Sequence, residues 1–112
     1  MENESTRQSK VSRLIQREMG DIFQKENILS GVMISVTQVR TTTDLGVAKI
    51  FISLFPSNNK KEDLEAVKKR AQDLRYILGK RVSKQLRHIP ELHFYLDDSF
   101  DYAEEIDNLL KD

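Results

Sequence analysis

Two neighbouring runs of β-branched and aromatic residues constrain the fold of this chain most: VMISVTQV at 32–39 and VAKIFISLF at 47–55. In the second run every even-numbered residue from Ala48 to Leu54 is apolar, and the odd-numbered positions include Lys49 and Ser53. This period of two predicts a strand with one face toward a core. Thr43-Asp44-Leu45-Gly46 supplies turn residues between the runs, so the pair is predicted to form a β-hairpin.

A hairpin of this length needs other elements to cover its apolar face. Apolar residues from Val11 to Phe23 recur at steps of three and four, which predicts a helix over about 5–25 with Ser5 or Thr6 as its N-cap. A second helical pattern starts after Asn59, which with Glu62 resembles a capping box. Its apolar positions continue to Leu86, and Pro90 ends the pattern.

The second helical pattern is predicted to contain a break. In one straight helix over 60–87, Lys68 and Arg75 would lie close to the apolar seam, and burying unpaired cations is costly. A break near 71–73 resets the helical phase, and Asp73 is the candidate N-cap of the following segment.

The end of the chain completes the architecture. LHFYL at 92–96 predicts a third strand, and Asp98 or Ser99 is placed to cap a short acidic helix ending near Leu110. The predicted order is α-β-β-α(kinked)-α-β with a three-stranded sheet and a short C-terminal helix. The class is therefore α+β, and 112 residues predict a single domain over 1–112.

Several functional classes lack the residues they require. The sequence has no cysteine, no 18-residue apolar run and no apolar signal-peptide core in MENESTRQSK, which predicts a cytoplasmic location without a membrane partner. His88, Glu91 and His93 fit no zinc-protease spacing, and Pro90 keeps the two histidines from sharing a helical turn. Without a phosphate loop or a nucleophile-base pair, we interpret the chain as a binding protein that is not an enzyme and uses no cofactor or metal.

The charge distribution indicates the kind of partner. Residues 68–87 contain eight basic residues against the single acid Asp73, whereas residues 91–112 contain eight acids against Lys111. The formal net charge of the whole chain is nevertheless zero. A basic region on a neutral, dipolar molecule favours a polyanionic partner held in one orientation.

The basic region provides the candidate contacts with RNA. On one straight helix, a stripe away from the apolar seam carries Lys69, Tyr76, Lys80, Lys84 and Arg87. Arg75 and Arg81 extend the candidate set. A solvated helix face is the plainer interpretation of such a stripe, and an exposed tyrosine can cover aliphatic stems instead of stacking on a base.

Two further alternatives stay open: a charge-driven protein-interaction module and a general single-stranded RNA-binding protein, although the latter lacks a Gly-x-x-Gly loop.

Short motifs in a fixed order give the chain a family resemblance. They are Val11 with the spaced apolar residues of the first helix, Asp44-Leu45 with Ala48-Lys49, Leu74-Arg75 with Leu78-Gly79-Lys80, and Pro90-Glu91-Leu92 followed by Phe94, Asp97 and Ser99. With these motifs the chain resembles the bacterial ribosome-binding factor A family from about Lys10 to Leu110. Lys49, within one of the motifs, joins the candidate RNA contacts.

The resemblance implies a fold and a function. It implies a type II KH-like domain whose Gly-rich loop is replaced by a kink between two helices at an Ala-x-Gly element; here the element is Ala71-Gln72-Asp73, without the glycine. It also implies a protein that binds the immature small (30S) ribosomal subunit through 16S rRNA, assists late maturation and supports growth in the cold. We further expect a monomer. The family's Asp-Pro element after the first helix is absent from 26–31.

Overall fold

Six elements follow one another in the computed structural model, which describes residues 5–97. They are α1 (Thr6–Lys25), β1 (Met33–Thr41), β2 (Val47–Phe55), α2 (Lys60–Lys69), α3 (Ala71–Val82) and β3 (Glu91–Leu96). This order confirms the predicted α+β class with its three-stranded sheet. The C-terminal helix predicted for 98–110 lies outside the described residues.

The sheet has the order β1-β2-β3, with β1 antiparallel and β3 parallel to β2. The predicted hairpin turn is held by Asp44, whose carboxylate accepts hydrogen bonds from the Gly46 amide at 3.0 Å and the Thr42 hydroxyl at 2.8 Å. These two bonds stabilise the charged form and hold the pKa of Asp44 below its ordinary value. Leu45 has a positive φ of 60°, which is uncommon for a branched residue and is set by this turn.

All three helices pack on one face of the sheet. The even-numbered face of β2 is buried as predicted, with Ala48, Ile50 and Ile52 at 0% exposure. The buried residues of the helices join it in one hydrophobic core; those at 0% exposure are Ile15, Met19, Ile22, Val67, Leu74, Leu78 and Val82. We call the other side of the sheet, which carries the odd-numbered residues of β2, the open face.

The helix N-termini follow the sequence signals. Ser5 and Gln8 form a reciprocal capping box at the start of α1. Asn59 caps α2 by accepting a hydrogen bond from the Glu62 amide at 3.2 Å. Both caps satisfy amides that have no partner inside the helix.

The predicted break lies at Arg70, immediately before Ala71, where φ is −94° and ψ is 7°. The choice of Asp73 as N-cap is wrong, because Arg70 occupies that position and makes no side-chain cap bond. Asp73 lies in the first turn of α3, and its carboxylate accepts a hydrogen bond from Arg70 Nε at 3.2 Å. The sequence at Asp73 therefore predicted the correct segment for the break, but the residue whose backbone leaves the helix is Arg70.

The helix that was expected to continue to Arg87 ends at Val82. The amides of Gln85 and Leu86 both donate to the Val82 carbonyl, which closes a turn, and the chain then runs without helix to β3. A strand parallel to β2 requires the chain to return across the sheet, and the stretch before Pro90 provides that connection. None of the helices within 5–97 has both the length and the hydropathy to cross a bilayer.

Candidate nucleic-acid interface

The outward side of α3 presents an aromatic ring and a cation together. Tyr76 is 66% exposed, and Lys80, one helical turn later, places Nζ 4.7 Å from the centroid of its ring. This cation–π contact keeps the ammonium beside the ring. The pair therefore offers a flat surface for a base and a charge for a phosphate.

The remaining members of the predicted stripe lie on other elements. Lys84 follows the end of α3 in the turn at 83–85, Arg87 lies in the loop before β3, and Lys69 ends α2 on the other side of the break. All three are exposed. The expectation of one continuous helical stripe is thus wrong, because the backbone leaves the helix at Arg70 and again after Val82.

Arg75 is engaged inside the protein. Its guanidinium donates to two carbonyls of the loop before β3, through Nη2 to Ile89 at 2.6 Å and through Nε to Pro90 at 3.1 Å. Charge-assisted bonds of this kind hold the loop against α3. Arg75 was counted among the RNA contacts from the sequence, because the carbonyls that it binds are 14 and 15 residues away and carry no local signal.

Arg81 likewise binds within the fold. Its Nη1 lies 2.6 Å from Asp21 Oδ2 and 3.4 Å from Glu18 Oε1, so it joins α3 to α1. The hydrogen bond from Arg81, followed by that from Lys25, lowers the pKa of Asp21, and the same contact with Asp21 raises the pKa of Arg81. The Arg81 side chain is only 27% exposed. The predicted set therefore separates into exposed side chains and two arginines with intramolecular partners.

Lys49 lies apart from this group. It projects from β2 on the open face, where it is exposed and pairs in register with Arg40 of β1 and His93 of β3. The helices occupy the opposite side of the sheet. The structure thus does not bring Lys49 together with Tyr76 and Lys80.

Two concave regions adjoin the exposed cations. A cavity of about 220 Å³ lies between the α2–α3 break and the edge strand β3, and its lining includes Lys68, Ala71 and Tyr95. A second cavity of about 500 Å³ is lined by Arg87 and His88 together with Arg7 and Lys10 of α1. Sequence reasoning missed Lys68, Arg7 and Lys10. No local signal relates α1 to a loop about 80 residues later.

The part of the chain that the structure describes is strongly basic. Residues 5–97 hold 17 of the 18 basic residues and 10 of the 18 acidic ones, a formal balance of +7. Within that part, no group of three or more His, Asp or Glu side chains is arranged to hold a metal ion. The geometry of this region suits binding of a polyanion.

Comparison with known proteins places this arrangement in a family. The family model described as ribosome-binding factor A matches residues 7–110. The chain belongs to the ribosome-binding factor A family. Ribosome-binding factor A of Cytophaga hutchinsonii is 48% identical over 109 residues, covering 96% of this chain and 82% of that protein. The Flavobacterium psychrophilum protein is 46% identical over 110 residues, covering 96% of this chain and 85% of that protein.

Solved structures of the ribosome-binding factor A family share the fold. The crystal structure of the Thermus thermophilus protein matches with a TM-score of 0.66 at 21% identity, over 80% of this chain and 94% of that one. A homology model of the Thermus protein, fitted into the cryo-EM map of a complex of the 30S subunit with ribosome-binding factor A, matches with a TM-score of 0.63 at 21% identity, over 78% and 91% of the two chains. At this identity the likeness concerns the fold alone.

Proposed function

We propose that this member of the ribosome-binding factor A family binds the immature small ribosomal subunit through 16S rRNA, assists its late maturation and supports growth in the cold. It acts as a cytoplasmic monomer without catalysing a reaction. Family membership over 7–110 supports the subunit as the partner, and the Thermus relative was fitted in a 30S complex. One observation carries the RNA contact: exposed Tyr76 and Lys80 form a cation–π pair on the outward side of α3, and the segments before and after α3 carry further exposed cations.

The proposed contact consists of the exposed members of the basic set, which we call the α3 patch: Lys69, Tyr76, Lys80, Lys84 and Arg87. Their ammonium and guanidinium groups neutralise phosphates and release counterions, which provides most of the affinity for RNA. Arg75 and Arg81 act indirectly, because their guanidinium groups already bind the loop before β3 and helix α1. They position the patch and make few contacts with phosphates.

The test is a double charge reversal confined to exposed residues. We expect Lys80→Glu with Lys84→Glu to weaken binding to purified immature small subunits at least about tenfold and to reduce the salt slope, because two phosphate contacts become repulsions. Thermal unfolding should change little, since both side chains are exposed. Affinity is measured by cosedimentation over a salt series.

The matched control is Arg13→Glu with Lys61→Glu, which changes net charge equally at exposed positions of α1 and α2. An equal loss in the control would show that only net charge matters, as a charge-driven interaction module requires. If both double variants bind the subunit as tightly as the unaltered protein, the α3 patch does not contact the subunit. The maturation role is tested by asking whether each double restores cold growth and 16S rRNA processing in a strain lacking its own ribosome-binding factor A.

A further inference from the structure

The open face carries two adjacent rows of side chains with different chemistry. The strand registers place Arg40, Lys49 and His93 side by side in one row, and Gln38, Phe51 and Tyr95 in the next. The rows are about 7 Å apart, since their residues are two positions apart along each strand. Among these six side chains, only Phe51 is not exposed, and it is half-buried.

The aromatic row contains a preformed stack. The rings of Phe51 and Tyr95 have centroids 5.4 Å apart and an interplanar angle of 27°, and Tyr95 is 39% exposed. Because the two rings are stacked on each other, the accessible aromatic surface belongs mainly to Tyr95, and Phe51 holds that ring in a fixed orientation. Unpaired bases stack on exposed aromatic rings in sheet-based RNA-binding proteins.

The neighbouring row favours an anion. Arg40 and Lys49 are direct cross-strand partners, and like charges in that position destabilise a sheet. An anionic group above the row removes this repulsion. The acids of the face lie toward its margins and already have partners: Glu91 lies 3.7 Å from His93 Nε2, and Asp97 accepts a hydrogen bond from Thr37.

We propose that the open face binds single-stranded RNA, with a base stacked on Tyr95, whose ring Phe51 supports, and phosphates held by Arg40 and Lys49. The distance between the rows suits one nucleotide, whose base lies on the Tyr95 ring while its backbone crosses the cations. A protein partner would be expected to favour the apolar end of the face, at Met33 and Phe55, over the basic row. The inference deepens the proposed function by adding a second RNA contact, across the sheet from the α3 patch.

The experiment titrates the full-length protein with an oligouridylate of about eight nucleotides and with duplex RNA of the same length, and follows the NMR ring signals of Phe51 and Tyr95. We expect upfield ring shifts with the single strand only. Tyr95→Leu should weaken oligouridylate binding about tenfold, and Lys49→Gln should weaken it less and reduce the salt slope by about one. The matched control, Phe55→Leu, removes an exposed ring from the apolar end of the same face and should leave the ring shifts of Phe51 and Tyr95 unchanged.

Three results would overturn the inference: unchanged affinity in both Tyr95→Leu and Lys49→Gln, equal ring shifts with duplex RNA, or contacts in the free protein between these rings and residues 98–112 or a second copy. Lys49→Gln keeps the test decisive if Tyr95→Leu fails to fold. The two proposals fail separately. If the Lys80→Glu/Lys84→Glu variant loses subunit binding but oligouridylate does not stack on the open face, only the proposed function is supported. If oligouridylate stacks but the unaltered protein does not bind the subunit, only the open-face site is supported.

Discussion

At the scale of single residues, Arg81 links two helices through charge. Its contact with Asp21 holds the pKa of that carboxyl below its ordinary value of 3.8. A carboxyl whose pKa is lowered by folding stabilises the protein above its ordinary pKa and loses that contribution as the pH falls through the lowered value. The stabilisation by this pair is therefore present at neutral pH and lost in acid.

We expect Arg81→Gln to lower the melting temperature at pH 7, and the difference from the unaltered protein to shrink as the pH falls below about 3.8. Thermal unfolding followed by circular dichroism from pH 2 to 7 measures this. Lys25→Gln is the matched control, because Lys25 also pairs with Asp21 but is 66% exposed and should contribute less. A difference that is constant with pH would mean that Arg81 acts by packing alone.

Gly79 tests how closely α3 approaches the loop before β3. A Cβ added there would lie 3.4 Å from Ile89 Cγ1, an ordinary contact distance, and φ is not in the left-handed region. Gly79→Ala should therefore stabilise the protein by up to about 1 kcal/mol through helix propensity, as measured by urea unfolding. Gly20→Ala in α1, with nothing within 4 Å, is the control. Stabilisation at Gly20 but destabilisation at Gly79 would indicate that the loop cannot accommodate the added methyl group.

At the scale of elements, the break between α2 and α3 is held from both sides by the core. Val67 and Leu74 are both at 0% exposure, whereas the Arg70–Asp73 ion pair beside the break is exposed. An exposed pair of this kind contributes little to stability. The position of the break therefore depends on buried contacts and not on Asp73.

Asp73→Gly should accordingly retain the break and small-subunit binding, and it should be about 1 kcal/mol less stable than Asp73→Ala because of the helix propensity of glycine. Backbone chemical shifts of residues 68–73 report the break, and cosedimentation reports binding. Asp73→Ala serves as the control that removes the carboxylate without adding flexibility. One continuous helix over 60–82 in either variant would show that Asp73 maintains the break.

At the scale of the whole molecule, charge is separated along the chain. Residues 5–97 have a formal balance of +7, and the acidic residues that return the net charge to zero lie mostly in the C-terminal segment beyond them. A negative segment attached to a basic domain repels phosphates that approach from unproductive directions. We expect it to suppress binding to unrelated RNA.

Replacing Asp101, Glu104, Glu105 and Asp107 by Asn or Gln should therefore strengthen binding to random-sequence RNA more than binding to small subunits, and steepen the salt dependence of the former. The ratio of the two affinities over a salt series measures this effect. Replacement of Glu62 and Glu65, exposed acids of α2, by Gln is the control, and it is compared with replacement of two C-terminal acids, Glu104 and Glu105. If the ratio of the affinities for random RNA and small subunits does not change in the fourfold variant, the C-terminal acids do not affect RNA selection.

Features that depend on near neighbours could be predicted from the sequence by itself. The burial of Ala48 to Leu54 follows from a period of two, and the caps at Ser5 and Asn59 follow from residues three positions apart. The break before α3 was predicted because a straight helix would turn Lys68 and Arg75 toward the core. The family resemblance rested on motifs of the same local kind.

Only the tertiary structure decided which partners the charged and aromatic side chains have. Arg75 and Arg81 were both predicted to contact RNA, but folding brings them to the loop carbonyls and to α1. The parallel register of β3 places Tyr95 against Phe51 and puts Lys49 on the face opposite α3. These contacts join segments 14 to 60 residues apart, and their geometry depends on how whole elements pack, which local periodicity and spacing do not encode.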